Sequence, residues 1–340
     1  GVGFSLAGAG RMGLALYRRG GAGPRAGAAP GRSIHSPPSR TPPPPPPPPE
    51  AAQEPPLDPP HPPRPAGPGA MRPCRHRIGV SLGDVPTLEG GGLSEFCLQV
   101  GSRLRVALGE ADDIGLVFHL KERLVGCFGD AVDYLPVDRW QRWRHVRPEP
   151  YALWHSLHQL NKNLPPAGAG LRLVTVHDLN YRYGPRAFSR WRHQRRTRRL
   201  LARSDRLTAI SAFTAQELRD HLGWRGEIDV IHNGARSFVG RPQRPLDGWE
   251  AVPQRPFLFH LSRMAPVKNP VALLGLAAAW PEMTLVLAGP DNADARALRA
   301  GCRLPNVQFH LGIDEAQKAW AYAQCAGFVF PSWAEGFGLP

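Results

Sequence analysis

The feature that most constrains the fold is a regular alternation, from Arg77 onward, of short apolar runs with amphipathic stretches. This alternation is typical of βα units around a parallel sheet. The runs predicted as strands are "RIGVSL", "DIGLVFHL", "LRLVTVHD", "RLTAIS", "IDVIHN", "FLFHLS", "TLVLAGP", "VQFHLG" and "GFVFPS". Helices are predicted over residues 94–106, 187–203, 214–221, 269–279, 293–300 and 315–325. The sequence therefore predicts an α/β protein with parallel sheets.

The apolar pattern lapses once, between Gly234 and Gln254, and then restarts. We therefore predict a first domain over 71–240, a linker over 241–255 and a second domain over 256–340. Two such units make a cleft, and in open parallel sheets ligands bind beyond the carboxyl ends of the strands. The second domain shows four predicted strands where a doubly wound domain usually has roughly five or six, so we expect it to be incomplete.

Residues 1–70 differ in composition from the rest. They hold 20 of the 39 prolines, including eight in a row from Pro42 to Pro49, and no acidic residue precedes Glu50. Such a segment cannot bury enough apolar surface to offset its ordering entropy, so we predict it to be disordered and partly polyproline II. The chain begins with glycine, and Met71 stands just before the first predicted strand. We expect either a natural start at Met71 or a natural disordered arm, with a proline-motif ligand as a third interpretation.

Charge and cysteine content narrow the function classes. The formal net charge of +14 favours anionic partners, whether phosphate-bearing small molecules, anionic lipid surfaces or nucleic acid. The five cysteines are widely spaced without a CxxC pair, which argues against a zinc site or disulfide framework and indicates a reducing compartment. No apolar run reaches the roughly 20 residues of a membrane span. We expect a cytoplasmic protein, with peripheral attachment to the cytoplasmic face of a membrane as a refinement.

A cationic loop follows the first predicted strand of the second domain. In "HLSRMAPVKNP", Arg263 and Lys268 stand five residues apart, with Lys268 at the start of a predicted helix. Two cations and the free N–H groups of a helix N-terminus suit a diphosphate. A solvated surface loop is the alternative interpretation.

Two stretches of the first domain lie beside predicted strand ends. "VTVHDLN" places His177 and Asp178 directly after an apolar strand. His177 could donate to a substrate hydroxyl or stabilise charge, and Asp178 could orient it or cap the following turn, while a structural histidine is the alternative. "GGGLSEF" places Gly90, Gly91 and Gly92 before a helix, where the backbone could approach a phosphate or sugar. It is neither a dinucleotide fingerprint nor a P-loop, and a flexible turn is the alternative.

One predicted helix is strongly basic. "RAFSRWRHQRRTRRLLAR" carries eight arginines, the first being Arg186 and the last Arg203, and no acidic residue. Its approximate apolar stripe consists of Phe188, Trp191, Leu200 and Leu201. A solvated face is the default interpretation, and contact with anionic lipid head groups or an anionic acceptor is the sharper one. Nucleic acid is the least favoured partner because the chain shows no recognised nucleic-acid module.

The stretch "PSWAEGFGLP" places Glu335 after a predicted strand, followed by Gly336, Phe337 and Gly338. A carboxylate there can accept hydrogen bonds from sugar hydroxyls, and glycine lets the backbone approach a sugar or phosphate. A tight surface turn is the alternative.

The order and spacing of these motifs resemble one family. "VTVHDLN", "RLTAISAFTAQEL", "IDVIHNGA", "FLFHLSRMAPVKN", "TLVLAGP" and "FVFPSWAEGFGLP" are similar to motifs of the retaining GT-B glycosyltransferases of family 4, also called group 1 glycosyltransferases. The resemblance extends over roughly 77–340 and is strongest from Leu173 onward. It implies the GT-B fold, in which two Rossmann-like domains face a cleft and a nucleotide-diphosphate sugar binds mainly to the second.

The resemblance also implies roles for single residues. Arg263 and Lys268 would neutralise the donor diphosphate. His177 would contact donor sugar hydroxyls near the reacting carbon, and the loop with Gly91 and Gly92 would lie near the donor phosphates and acceptor.

Glu335 would be the first glutamate of the family's E-x7-E element and would contact the transferred sugar, with the backbone of Gly336, Phe337 and Gly338 beside it. The second glutamate, which would hold the nucleotide ribose, falls at position 343, beyond the last residue of the sequence. From this we expect a truncated product or a partial sequence, with the activity of the chain as given in doubt.

The implied reaction is transfer of a hexose from a UDP- or GDP-linked donor to a glycan or lipid-linked acceptor, with retention of configuration. We expect a role in surface polysaccharide or lipopolysaccharide synthesis, without a metal or other cofactor. The stretch "YALWHSLHQLNKNLPP" is assigned to the acceptor side through Trp154 and His155. The alternative function is a non-catalytic protein that binds nucleotide sugars or polyanions.

Overall fold

The structure, a computed structural model, describes residues 74–338 apart from 89–90, 109–110, 112, 142–149, 184–186, 235–236, 252 and 254. The predicted disordered segment 1–70 lies outside the described residues, as do Met71, Gly90 and Arg186. All five cysteines are described, and all are free thiols.

The seven strands between His76 and Val230 form one parallel sheet, the first sheet. They are β1 (His76–Ser81), β2 (Ile114–Leu120), β3 (Asp133–Pro136), β4 (Leu153–Ser156), β5 (Leu171–Val176), β6 (Arg206–Ala209) and β7 (Ile228–Val230). The helices between them are α1 (Gly92–Leu108), α2 (Ala187–Leu201) and α3 (Ala212–Leu222), with 3-10 turns at Glu122–Leu124 and Asn180–Tyr183. The spatial order is β3-β2-β1-β4-β5-β6-β7, and each neighbouring pair runs parallel.

Four strands of the second half form another parallel sheet. They are β8 (Phe257–Leu261), β9 (Thr284–Gly289), β10 (Val307–Leu311) and β11 (Gly327–Phe328), in the spatial order β10-β9-β8-β11. The helices are α4 (Pro270–Ala279), α5 (Ala293–Gly301) and α6 (Glu315–Gln324), with a 3-10 turn at Pro266–Lys268. Both sheets belong to one compact unit.

Two strands, β3 and β4, were not predicted from the sequence. Each has only four residues, and "LWHS" of β4 mixes polar with apolar side chains, so neither shows a strand pattern. Yet β4 lies at the centre of the sheet, and Trp154 on it is 1% exposed. Its indole packs against the position of Gly79 on β1, where a larger side chain would collide with the ring.

The assignment of Trp154 and His155 to an acceptor loop is therefore wrong. Trp154 is a core residue whose ring lies 4.9 Å from that of Tyr151, centroid to centroid. His155 Nε2 lies 2.8 Å from Thr175 Oγ1 on the neighbouring strand β5. The four residues of β4 mix polar with apolar side chains and carry no strand period, so this strand could be recognised only from its neighbours.

Side chains of the second sheet alternate between two cores, as expected for a sheet covered on both faces. Leu258, Leu285 and Leu287 pack with α4 and α5, whereas Phe257 and Val286 pack on the opposite face with α6.

The predicted linker contributes to this second core. Leu246 is 1% exposed, and Trp249 packs beside Phe257 at 4.8 Å between ring centroids. Trp320 on α6 donates from Nε1 to the Ala251 carbonyl at 2.9 Å. Leu246 and Trp249 pack against the second sheet although the sequence pattern lapses here, because isolated apolar residues carry no periodic signal.

The predicted fold class is confirmed as α/β, with two parallel sheets. In each sheet the strand order reverses beside the first strand. β1 has β2 on one side and β4 on the other, and β8 has β9 on one side and β11 on the other. Such a reversal leaves a crevice at the carboxyl ends of the strands, which is where ligands bind in open parallel sheets.

Candidate functional site

Two charged side chains meet at the point where the strand order of the second sheet reverses. Lys268 follows β8 and Glu335 follows β11, and because these strands are parallel neighbours, both loops leave the same edge of the sheet. Lys268 Nζ lies 2.5 Å from Glu335 Oε1, with the two side chains 20% and 24% exposed. The ammonium also lies 5.3 Å from the centroid of the Phe330 ring. The structure thus brings together two residues that the sequence assigned to one site.

The loop that carries Lys268 is held by a buried histidine. His260 on β8 donates from Nδ1 to the Val329 carbonyl at 2.8 Å, so its Nε2 accepts from the Ser262 hydroxyl at 2.7 Å. Burial lowers the pKa of His260 to about 4, which keeps the ring neutral. Met264 and Asn269 have φ of 55° and 53°, so the chain turns sharply on both sides of the 3-10 turn. Lys268 is the last residue of that turn. Asn269 caps α4, which therefore begins at Pro270, one residue later than predicted.

Arg263, the second predicted phosphate ligand, lies apart from this pair. Its side chain is exposed, and within the described part of the chain no ion pair or hydrogen bond joins it to Lys268 or Glu335. Its backbone carbonyl accepts from Asn292 Nδ2 at 3.0 Å. Arg263 lies on the same loop as Lys268, and its exposed side chain could reach an anion bound there.

His177 lies at the end of β5, and its ring is fixed by the backbone. Nε2 lies 2.9 Å from the Leu157 carbonyl, which can only accept, so Nε2 carries the proton. Burial lowers the pKa of His177, and the Phe96 ring packs edge-on against it at 4.5 Å. With the proton on Nε2, the other ring nitrogen, Nδ1, is left as an acceptor for a ligand hydroxyl.

Asp178 caps the turn that follows it, one of its two predicted roles. Its carboxylate accepts from Asn180 N at 3.0 Å and from Asn180 Nδ2 at 3.1 Å, at the start of the 3-10 turn. Burial raises the pKa of Asp178, the hydrogen bond from Asn180 opposes the rise, and the charge of Glu335 adds to it. Glu335 and Lys268 both influence Asp178, so the end of β5 lies within electrostatic reach of the charged pair in the second half.

The backbone around Gly336 contacts residues that follow strands of the first sheet. Thr214, fully buried on α3, points its hydroxyl at the His177 carbonyl at 3.1 Å and at the Gly336 carbonyl at 3.3 Å. Ser211 also donates to the Gly336 carbonyl. A Cβ at position 336 would collide with the His177 carbonyl oxygen. Glycine is thus required for the approach of one strand end to the other.

Phe337 and Gly338 complete this loop. Phe337 is 37% exposed, and its ring lies 5.5 Å from that of His232, which follows β7. Gly338 has a φ of 81°, a left-handed conformation that favours glycine. The loop predicted to lie beside a sugar therefore also contacts two strand ends of the first sheet.

Gly91 and Gly92 stand at the start of α1, whose first backbone bond runs from Glu95 N to the Gly91 carbonyl at 2.9 Å. Among the described residues, no atom lies within 4 Å of a Cβ built at either position. Packing against the described residues therefore does not require glycine here.

The sequence did not identify Gln159 as part of this region. Its buried amide donates from Nε2 to the Asp178 carbonyl at 2.7 Å and accepts from His177 N at 3.1 Å. One side chain thus bonds the backbone at both predicted site residues of β5. A glutamine that follows an unpredicted strand has no sequence signal of its own.

This arrangement can bind a ligand that carries both an anion and hydroxyl groups. A bound anion would draw the Lys268 ammonium away from Glu335. The Glu335 carboxylate would then be free to accept hydrogen bonds from ligand hydroxyls. His177 Nδ1 offers another acceptor. In the described part of the chain, no group of three or more His, Cys, Asp or Glu side chains could hold a metal ion. The described helices include none long and apolar enough to cross a membrane.

Residues 108–236 match the model of the family described as Glycosyltransferase Family 4. This range runs from the end of α1 past β7 and includes His177 and Asp178, whereas Lys268 and Glu335 lie outside it. No curated protein matches the chain.

Several solved structures resemble the chain. One is a sucrose-phosphate synthase from Thermosynechococcus elongatus, with 17% identity and a TM-score of 0.52, covering 78% of this chain and 77% of that chain. The OtsA apo structure has 11% identity and a TM-score of 0.47, with 78% and 80% of the two chains covered. AviGT4, a glycosyltransferase involved in avilamycin A biosynthesis, has 15% identity and a TM-score of 0.41, with 77% and 74% covered. The likeness to the first of these shows a common fold, the predicted GT-B arrangement of two parallel α/β sheets, and residues 108–236 are similar to glycosyltransferase family 4.

Proposed function

We propose that the protein is a glycosyltransferase that moves a hexose from a UDP- or GDP-linked donor to a glycan or lipid-linked acceptor with retention of configuration. We further propose a role in surface polysaccharide or lipopolysaccharide synthesis. The family match over 108–236 supports the reaction class. The observation that carries the proposal is independent of that match. It is the pairing of Lys268 with Glu335 where the second sheet reverses its strand order, within electrostatic reach of Asp178.

The proposed chemistry follows from where charge develops. As the bond from the sugar to the diphosphate breaks, negative charge grows on the departing phosphate, so a nearby cation stabilises the transition state more than the ground state. Lys268 would supply this charge, and Arg263, which is exposed on the same loop, would join it when the donor binds. The acceptor would attack from the face that the diphosphate leaves.

Glu335 and His177 would hold the sugar in this proposal. Once Lys268 turns to the diphosphate, the Glu335 carboxylate can accept from sugar hydroxyls. His177 would accept a further hydroxyl through Nδ1, because the Leu157 carbonyl holds the proton on Nε2. We assign no residue as a nucleophile.

The test is donor binding and turnover by the full chain and by Lys268→Gln and Arg263→Gln. Calorimetry with UDP- and GDP-sugars would measure affinity, and nucleoside-diphosphate release with lipid-extract acceptors would measure turnover. Each charge-assisted contact contributes about 1.5–3 kcal/mol, so each variant should bind the donor about 10- to 100-fold more weakly. Arg299→Gln is the matched control, because Arg299 is an exposed cation on α5.

Equal donor affinity in all four proteins would refute the proposed phosphate site. Binding that depends on Lys268 without any product would instead favour the alternative function, a non-catalytic nucleotide-sugar-binding protein. The ion pair between Lys268 and Glu335 is compatible with that alternative, because Glu335 neutralises the Lys268 ammonium when no ligand is bound.

A further inference from the structure

Helix α2 presents an exposed face that combines aromatic rings with arginines. At helical spacing, this basic-aromatic face consists of Phe188, Trp191, Arg192, Arg195 and Arg198. All five are exposed. The helix contains six arginines and no acidic residue, so its field is positive along its whole length.

The opposite side of α2 fixes the helix to the protein. Thr197, Leu200 and Leu201 are buried, and His193 stacks on Tyr181 at 5.8 Å between ring centroids. The predicted apolar stripe is thus wrong in part, because Leu200 and Leu201 enter the core while Phe188 and Trp191 face solvent. The two rings are not needed to anchor the helix.

The aromatic pair is unusually exposed for its size. Phe188 is 69% and Trp191 is 53% exposed, and the rings stack at 5.8 Å between centroids. The guanidinium of Arg192 lies 5.9 Å from the Phe188 ring, and that of Arg195 lies 5.5 Å from the Trp191 ring. An open pocket of about 190 Å³ lies between Trp191, Gln194, Arg195 and Arg198. Apolar rings and cations for an anionic group therefore share one exposed face of α2.

We propose that the basic-aromatic face docks the protein onto an anionic phospholipid bilayer. Phenylalanine and tryptophan rings partition into the boundary between head groups and acyl chains, and arginines attract the phosphates of anionic lipids. Charge complementarity selects an anionic rather than a neutral surface, and the two exposed rings favour a surface with an apolar layer beneath its charges. The helix would lie in the plane of the interface. This proposal does not rest on the donor site, and either can fail without the other.

The experiment measures binding of the full chain to vesicles by flotation. The vesicles contain phosphatidylcholine and phosphatidylglycerol in a roughly two-to-one ratio, with pure phosphatidylcholine as the neutral comparison. Each arginine near such a surface contributes a factor of about five, so Arg195→Gln combined with Arg198→Gln should weaken binding about 30-fold and reduce its salt dependence. Phe188→Ser combined with Trp191→Ser should weaken binding at least about tenfold, including at high salt.

The matched control removes the same charge elsewhere. Arg219 and Arg225 are exposed in and just after α3, so the double variant Arg219→Gln and Arg225→Gln should bind within about twofold of the parent. All these side chains are exposed, and unchanged circular dichroism spectra would show intact folding.

Three results would overturn the proposal. One is equal loss of binding in the control and the Arg195 and Arg198 variant, which would mean that only net charge matters. Another is unchanged binding when both aromatic residues are replaced. The last is tighter binding to a single-stranded oligonucleotide than to anionic vesicles through the same residues, which would identify a nucleic-acid surface instead.

Discussion

The hydroxyl of Thr214 joins the ends of the two sheets, and its removal should have a measurable cost. Thr214 is fully buried on α3, and its Oγ1 lies 3.1 Å from the His177 carbonyl, after β5, and 3.3 Å from the Gly336 carbonyl, after β11. Thr214→Val keeps nearly the same shape but has no donor. It therefore tests the hydrogen bond rather than the packing.

The magnitude follows from what the variant leaves unpaired. Loss of one buried hydrogen bond costs about 1 kcal/mol, and a buried carbonyl without its donor costs about 1–2 kcal/mol more. We therefore expect Thr214→Val to lower the free energy of unfolding by about 2–3 kcal/mol. Thr214→Ser keeps the hydroxyl and loses only a methyl group, so it should cost about 1 kcal/mol.

Urea unfolding followed by circular dichroism measures both values. If the valine variant is no less stable than the serine variant, the hydroxyl does not hold the two sheet ends together, and the reasoning is refuted. If the hydroxyl does hold them, the valine variant should also bind donors more weakly than the serine variant, because the loop of Gly336 is less fixed.

Two further predictions use the same region and the buried histidines. Gly336→Ala should destabilise the protein and weaken donor binding, because its Cβ would collide with the His177 carbonyl. Gly91→Ala should change the unfolding free energy by less than about 0.5 kcal/mol, because no atom of the described residues lies within 4 Å of a Cβ built there. Equal effects of the two variants in urea unfolding would contradict this. Burial lowers the pKa of His155, His158 and His260 to about 4. The ordinary pKa is near 6.5, so between pH 4 and pH 6.5 the unfolded chain binds more protons than the folded protein. The free energy of unfolding must therefore fall as the pH falls below about 6.5. From pH 7 to pH 5, each ring should lower the free energy of unfolding by roughly 2 kcal/mol. His260→Gln should reduce the slope of unfolding free energy against pH. A parent protein that is equally stable at both pH values would show that the rings are charged in the folded state.

Much of the secondary structure could be predicted from the sequence. Nine of the eleven strands and all six α-helices of the described residues correspond to predicted runs, because long apolar and amphipathic segments carry their own period. The exceptions, β3 and β4, mix polar with apolar side chains and depend on neighbouring strands for their burial. Leu246 escaped prediction for the same reason, since a single apolar anchor in a polar stretch has no period.

The candidate site could be predicted only in part. Lys268, Glu335 and His177 stood out because each lies in the segment that follows an apolar strand, and parallel strands bring such segments to one edge. The protonated nitrogen of His177 did not follow from the sequence, because the Leu157 carbonyl that fixes it lies twenty residues away. Thr214 and Gln159 were missed because a buried threonine on a helix and a glutamine after a short strand resemble many residues with no role.

The sequence by itself determined that this chain forms two parallel α/β sheets and that charged residues follow their strands, because these properties depend on local periodicity. Only the tertiary structure decided that Lys268 meets Glu335, that Gly336 contacts the end of β5, and that Phe188 and Trp191 face solvent. Those outcomes depend on which strands become neighbours and which side of a helix is covered. Contacts between residues far apart in the chain decide both.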